Sequence, residues 1–417
     1  MSQANATVLS PFGMAKKIHS IPMIVGLVLI FIGSIALYIV GEGVMDNQLT
    51  LPAMLVIGVL FGMTLYHAAF GFGRSYRRLM LYGDITGMRA QLVMLAIATL
   101  LFAPLFATGY LEDPEVLVSP VTMQMVIGAF VFGISMQIAD GCASGCLYEA
   151  GGGDNKMLIT ILGFIAGAFL ATLHLEWWAE LPELPLIQFE DGFSLVAEYG
   201  WFAAAAGQLL FIVLLIGLLS YFGKSTPCRV RLEREEAHRG LSAKDRGWKT
   251  FFIGPWPIFI GAGALALLNW LTTLITGAPW GVVSAFSLWG AKISMFFGFT
   301  PESPYWENRT ELLENSVFLD TTSVVNMGVI LGALLAAIWA KKFAPKATLA
   351  MKTFIITLVA SVIMGYAARL AFGCNIGAFF SGVATFSLHG WVWLFAALPG
   401  VWIGARLRPY FGLGSSK

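Results

Sequence analysis

Residues 131–148 read VFGISMQIADGCASGCLY, and residues 363–380 read IMGYAARLAFGCNIGAFF. Laid over one another without a gap, Gly133 meets Gly365 and Ala139 meets Ala371. Gly141 meets Gly373, Cys142 meets Cys374 and Gly145 meets Gly377. In each stretch an apolar run stops at Gly-Cys, and a short glycine-bounded segment follows: 142–150 before Gly151-Gly152-Gly153, and 374–381 before Gly382. Farther on, GFIAGA at 163–168 resembles GVWIGA at 400–405, and both carry the small-xxx-small spacing that lets helices approach closely. A weaker third copy, LFGMTLYHAAFGFGRSY at 60–76, puts Gly62 under Gly133, Ala68 under Ala139 and Gly71 in the cysteine column. A fourth is suggested at Gly290 to Phe299, GAKISMFFGF.

The composition around these motifs sets the solvent. The 417 residues are 58% hydrophobic and 12% charged, about half the charge of an average soluble chain. Apolar blocks of bilayer-spanning length recur at 21–41, 50–70, 90–109, 121–141, 157–174, 200–222, 252–276, 281–298, 322–340, 353–372 and 388–405. Backbone groups in lipid must be paired internally, and blocks of this length suit helices rather than barrel strands. The fold class is therefore an all-α polytopic membrane protein. The net charge of +1 gives no reason to expect a nucleic-acid partner. Block 21–41, preceded by Lys16 and Lys17, is expected to be an uncleaved first span rather than a signal peptide.

The connections sort by sign. Basic ones are Arg74–Arg89, Lys224–Lys249 and Lys341–Lys352, with Arg406 and Arg408 near the end. Acidic ones are Glu42–Asp46, Glu112–Glu115, Glu176–Glu198 and Glu302–Asp320. Basic loops stay in the cytoplasm, which puts both termini inside. Block 281–298 lies between two connections that both belong outside, so it should dip in and return. The expectation is ten spans and one re-entrant segment. The same topology sends 121–141 inward and 353–372 outward, so the two Gly-Cys copies form an inverted repeat, with the site at their interface near midplane. The corresponding division is an extra span at 1–49, a first half at 50–223, a basic linker at 224–250, a second half at 251–410 and a tail at 411–417.

The chemistry follows from the breaks. If Gly-Cys opens a half-helix, its free N–H groups and positive dipole end favour an anion. Oxyanions such as sulfate prefer Arg, Ser and backbone N–H donors. A thiol is soft and a weak donor, which suits a ligand that itself carries sulfur or selenium. Two cysteines at matching repeat positions make inert packing a poor account of both. The candidate site is therefore Cys142 and Cys374 with Gly141, Gly145, Gly373, Asn375 and Gly377, and with Cys146 one helical turn from Cys142. Among intramembrane ionisable residues, Arg369 either supplies counter-charge to the anion or pairs with Asp140, and Lys292 is a second such candidate. His67 is expected to be packed, and Glu149 and His389 to be interfacial. An ionised Asp140 beside Cys142 argues for neutral thiols that donate hydrogen bonds rather than act as nucleophiles. An i,i+4 pair is not a redox CxxC, the His and Cys needed for a metal site are missing, and no cofactor motif is present.

Three stretches, GCASG…LYEAGGG at 141–153, GAPWGVVSAFSLWGAK at 277–292 and ARLAFGCNIGAFFSG…FSLHGW at 368–391, resemble the YeeE/YedE family of bacterial inner-membrane sulfur transport proteins. The resemblance runs from about residue 50 to 410. It implies helices and loops meeting at a central constriction, and thiosulfate uptake in which thiols pass the ion by S–H···S contacts. It also implies a small TusA-type sulfur-carrier protein as partner. Cys142 and Cys374 match family cysteines. A third family cysteine falls at Gly71, and Cys146 stands outside the family pattern. The expected function is import of a small sulfur-containing anion, most simply thiosulfate, with no enzymatic activity. The alternatives are another sulfur or selenium species, a membrane thiol oxidoreductase or sulfurtransferase using Cys142 and Cys146, or a carrier-docking protein using the basic 224–249 loop.

Overall fold

The computed structural model describes residues 12–42, 47–110, 118–181, 192–225, 248–343, 345 and 350–413. Cys228 and most of the basic linker lie outside the described residues. Among those described, nine stretches are helical, long and apolar enough to cross a bilayer. A further helix, α1 (Phe12–Val40), precedes them, and its residues from Ile24 on are apolar.

The chain repeats one unit: a long helix, a break, a short helix, then another long helix. The first two units are α2 (Thr50–Ala68), α3 (Phe72–Tyr82), α4 (Thr86–Ala107), and α5 (Met123–Ala139), α6 (Ala143–Gly151), α7 (Asn155–Ala179). Helix α8 (Leu195–Phe222) crosses next, with non-helical backbone at Gly200. The third unit is α9 (Ile258–Thr276), α10 (Val283–Phe296) and α11 (Thr321–Trp339). The fourth is α12 (Met351–Leu370), a π-helical segment Asn375–Ser381, and α13 (Leu388–Leu407).

Two sequence expectations shift here. Helix α10 has 14 residues, about 21 Å at 1.5 Å per residue, too short for a hydrocarbon core of about 30 Å. That agrees with a segment that does not cross. The fourth break, however, is not at Gly290–Phe299, which falls in and just after the end of α10. It lies at Gly277–Val282, where Gly277 closes α9 in the left-handed conformation. Residues 72–82, placed by their charge in a basic loop, form α3, because Phe72, Tyr76 and their neighbours bury one face.

The long helices pair across the two halves of the chain: α2 with α11, α4 with α9, α5 with α13, and α7 with α12, while α12 also packs on α5. Glycines make the crossings. A Cβ on Gly167 would lie 1.9 Å from the Val362 carbonyl oxygen, and one on Gly400 would lie 2.0 Å from that of Phe130. Neither position admits a side chain, so backbone packs on backbone. Val362 and Phe130 occupy the same column of the two Gly-Cys copies. Gly167 is therefore the counterpart of Gly400, and the match of GFIAGA to GVWIGA moves by one helical turn from its sequence alignment.

Candidate thiol site

Each break is built alike at three places. Ala69, Asp140 and Phe372 have positive φ of 46°, 69° and 57°. Such backbone is costly for residues with side chains and clusters at functional sites. Two residues later, Gly71, Cys142 and Cys374 each stand as the N-cap of the helical segment that follows. The residues aligned in the cysteine column thus share one backbone position.

Cys142 is buried, and its Sγ accepts from the Gly145 N–H at 3.3 Å and lies 3.5 Å from Ser144 Oγ. It caps its own helix as a serine would. Cys374 is fully buried as well. The two motifs are also joined directly: Asn375 Nδ2 donates to Met136 Sδ at 3.2 Å, and Met136 lies on the helix that leads into Cys142. The glycines serve this geometry. Gly373 has φ 153°, and a Cβ there would lie 2.6 Å from the Ala378 amide. Gly145 leaves room for the Cys142 sulfur, and Gly377 lies against Gly281 of the Gly277–Val282 break. A Cβ on Gly141 would lie 3.1 Å from the Cys146 sulfur, so Cys146 packs behind the break, and it does not line the cleft that reaches Cys142.

That cleft is bordered by Gly71, Arg74, Arg77, Asp140, Tyr148 and Glu149. Glu149 is not merely interfacial. It accepts from the Tyr148 hydroxyl at 3.2 Å and pairs with Arg74 at 3.6 Å. A second cleft approaches from the other end of α2. Thr272, Thr276, Trp280, Gly281, Thr321 and Met54 line it. Met54 and Ala68 are 14 residues apart on α2, about 21 Å. Ser381 Oγ donates to the Trp280 carbonyl at 2.7 Å, which ties this second cleft to the segment begun by Cys374.

The charged residues do not pair as the sequence suggested. Asp140 meets Arg408 at 2.7 Å, Arg77 at 3.0 Å and Lys156 at 3.4 Å. Arg369 is not its partner. Its guanidinium lies 4.4 Å from the Tyr305 ring centroid, in the acidic 302–320 segment. Lys292 holds the same segment, donating to the carbonyls of Leu313 at 2.5 Å and Asn315 at 2.7 Å. Charge drew attention to both residues, and both brace the 302–320 segment rather than border the Cys142 cleft. His67 is packed as expected, with its ring 5.4 Å from that of Trp256. His389 is buried within the protein, its Nδ1 2.6 Å from Ser387 Oγ.

Sequence reasoning missed Met136, Tyr148, Tyr76 and the paired Arg77 and Arg408. Only the spacing of Phe72, Tyr76 and Met80 hinted that RSYRRL is a helix with a buried face.

The sulphur transport family's model matches residues 67–403, most of the chain. The thiosulfate transporter TsuA of Spirochaeta thermophila is 27% identical over 347 residues, covering 81% of this chain and 93% of that protein. The thiosulfate transporter TsuA of Escherichia coli is 23% identical over 358 residues, covering 85% and 93%. The probable transporter YedE of Escherichia coli is 33% identical over 166 residues, about two-fifths of each chain.

Proposed function

The chain belongs to the sulphur transport (YeeE/YedE) family, and from that premise we propose that it imports thiosulfate through the thiols of Cys142 and Cys374. The observation that carries this reading is their placement. Two buried thiols stand as N-caps of two sequence-related breaks, which the Asn375–Met136 hydrogen bond joins and which clefts from opposite ends of α2 approach.

The proposed path starts at the Thr272–Trp280 cleft. It passes Cys374 and then Cys142, and leaves beside Arg74 and Arg77. The thiols act as neutral S–H donors to the terminal sulfur of the ion, so no covalent step is involved and the protein is not an enzyme. The basic connections support a cytoplasmic Arg74 end and cytoplasmic termini, and family membership supports a bacterial inner membrane. The two halves are then inverted repeats, and a TusA-type carrier would receive sulfur at that face. Lys292 and Arg369 support the entrance through the acidic segment. Cys146 is a packing residue.

The experiment is thiosulfate-dependent growth and uptake in bacteria lacking other importers. Cys142→Ser and Cys374→Ser should each abolish uptake while the protein still accumulates in the membrane. Cys146→Ser should retain it. Full uptake by both single variants would sink the thiol path. A persulfide on Cys142 in purified protein would favour sulfur-transfer chemistry instead.

A further inference from the structure

We infer that the Tyr76 hydroxyl recognises the oxygen-bearing end of the transported anion, so that selectivity lies with an ion having both a terminal sulfur and sulfonate oxygens. This deepens the proposed function and rests on it.

Tyr76 is fully buried in α3, the short helix capped by Gly71. Its hydroxyl has no hydrogen-bond partner among the described residues. A phenolic O–H usually finds a partner when buried, and an orphaned one calls for an explanation. Its surroundings supply one: three residues earlier on the same helix, a Cβ on Gly73 would lie 3.2 Å from the sulfur of Met136, which accepts from Asn375 beside Cys374, and the helix's cap, Gly71, lines the cleft that reaches Cys142. The hydroxyl without a partner is thus on the short helix that packs against both Gly-Cys motifs.

The donors divide by chemistry. Cys142 and Cys374 are soft, weak donors suited to a polarisable sulfur atom. A phenol is a stronger donor suited to a localised oxygen charge. An ion with oxygens alone uses Tyr76 but matches the thiols poorly. Hydrosulfide or hydroselenide uses the thiols and leaves Tyr76 unpaired, and a site with a polar group left unpaired rejects such a ligand strongly. Only an ion with both ends engages every group. All of these donors are neutral, so the ion is held without being trapped in a salt bridge.

The test is Tyr76→Phe in the full-length protein, assayed for thiosulfate uptake and for thermal unfolding in detergent with and without thiosulfate. The change removes one oxygen and keeps the ring. The expected result is a rise in KM of about tenfold or more, the loss of a charge-assisted hydrogen bond. The thiosulfate-induced rise in Tm should shrink with it. The ligand-free Tm should hold or increase, because an unsatisfied buried hydroxyl has been removed. A hydroxyl with a structural partner gives the reverse: lower ligand-free Tm and unchanged KM. That outcome overturns the inference. Competition in the wild-type protein gives a readout that needs no variant. Sodium sulfide should inhibit labelled thiosulfate uptake far less than unlabelled thiosulfate does, and equal inhibition refutes the assignment. Thiol-dependent uptake that is unaffected in Tyr76→Phe defeats this inference alone. Full uptake in both cysteine variants defeats the reading beneath it.

Discussion

Asn375 donates its side-chain amide to the Met136 sulfur at 3.2 Å, which fastens the residue after Cys374 to the helix that ends before Cys142. Met136→Leu keeps the volume and removes the acceptor. Asn375 would then have neither polar atom paired among the described residues. The expected cost is about 1 to 2 kcal/mol, read as a lower Tm in detergent. A Met136→Leu protein as stable as wild type would show that this contact does not hold the two motifs together.

Asp140 gathers Arg77, Arg408 and Lys156 into one cluster linking α3, α5, α7 and the end of α13. Asp140→Asn leaves three cations facing a neutral amide. The expected loss is about 3 kcal/mol, since the damage is the uncompensated charge that remains rather than the pair that is lost. Arg408→Gln should cost less, because Asp140 keeps Arg77 and Lys156. Equal unfolding curves for the two variants would refute this ordering.

The helix crossings permit a paired comparison. A Cβ on Gly365 would lie 2.2 Å from the Phe164 carbonyl oxygen, whereas nothing lies within 4 Å of one on Gly207. Gly365→Val should cost about 2 kcal/mol or more and sharply reduce the folded yield. Gly207→Val, on a helix that is mostly exposed, should leave the yield near wild type. Similar yields would mean that the α7–α12 crossing is not tightly packed.

Arg369→Gln and Lys292→Gln separate two accounts of intramembrane charge. Both side chains brace the 302–320 segment, so both variants should lower Tm while leaving the KM for thiosulfate close to wild type. A tenfold rise in KM with unchanged Tm would return these residues to the ion's path.

The breaks were legible in the sequence because glycine and cysteine interrupt apolar blocks, and because Gly133 and Gly365 keep the same distance from their cysteines. Span length likewise follows from bilayer thickness, and the shortness of α10 agrees with the charge of its flanking loops. Partner choice was not legible. Arg369 lies near Asp140 in the repeat alignment, yet its neighbour is a tyrosine more than 60 residues upstream, and no periodicity reports that contact. Helix α3 was hidden by its arginines. Charge marked it as a loop, although Arg77 turns inward to Asp140. Tyr76 was hidden for a related reason, since a missing hydrogen-bond partner is a property of the assembled core.

The exchange of helices between halves has a consequence for biogenesis. Helices α2, α4, α5 and α7 all take their main partners from residues 258–407. A ribosome that has delivered these four has inserted α2, α5 and α7 with glycine faces that have nothing to close against. The last of these pairs, α5 with α13, forms only when the final long helix leaves the insertion machinery. Until then the glycine stripes face lipid, and a chain stalled after α8 would offer membrane quality control a set of unmated surfaces.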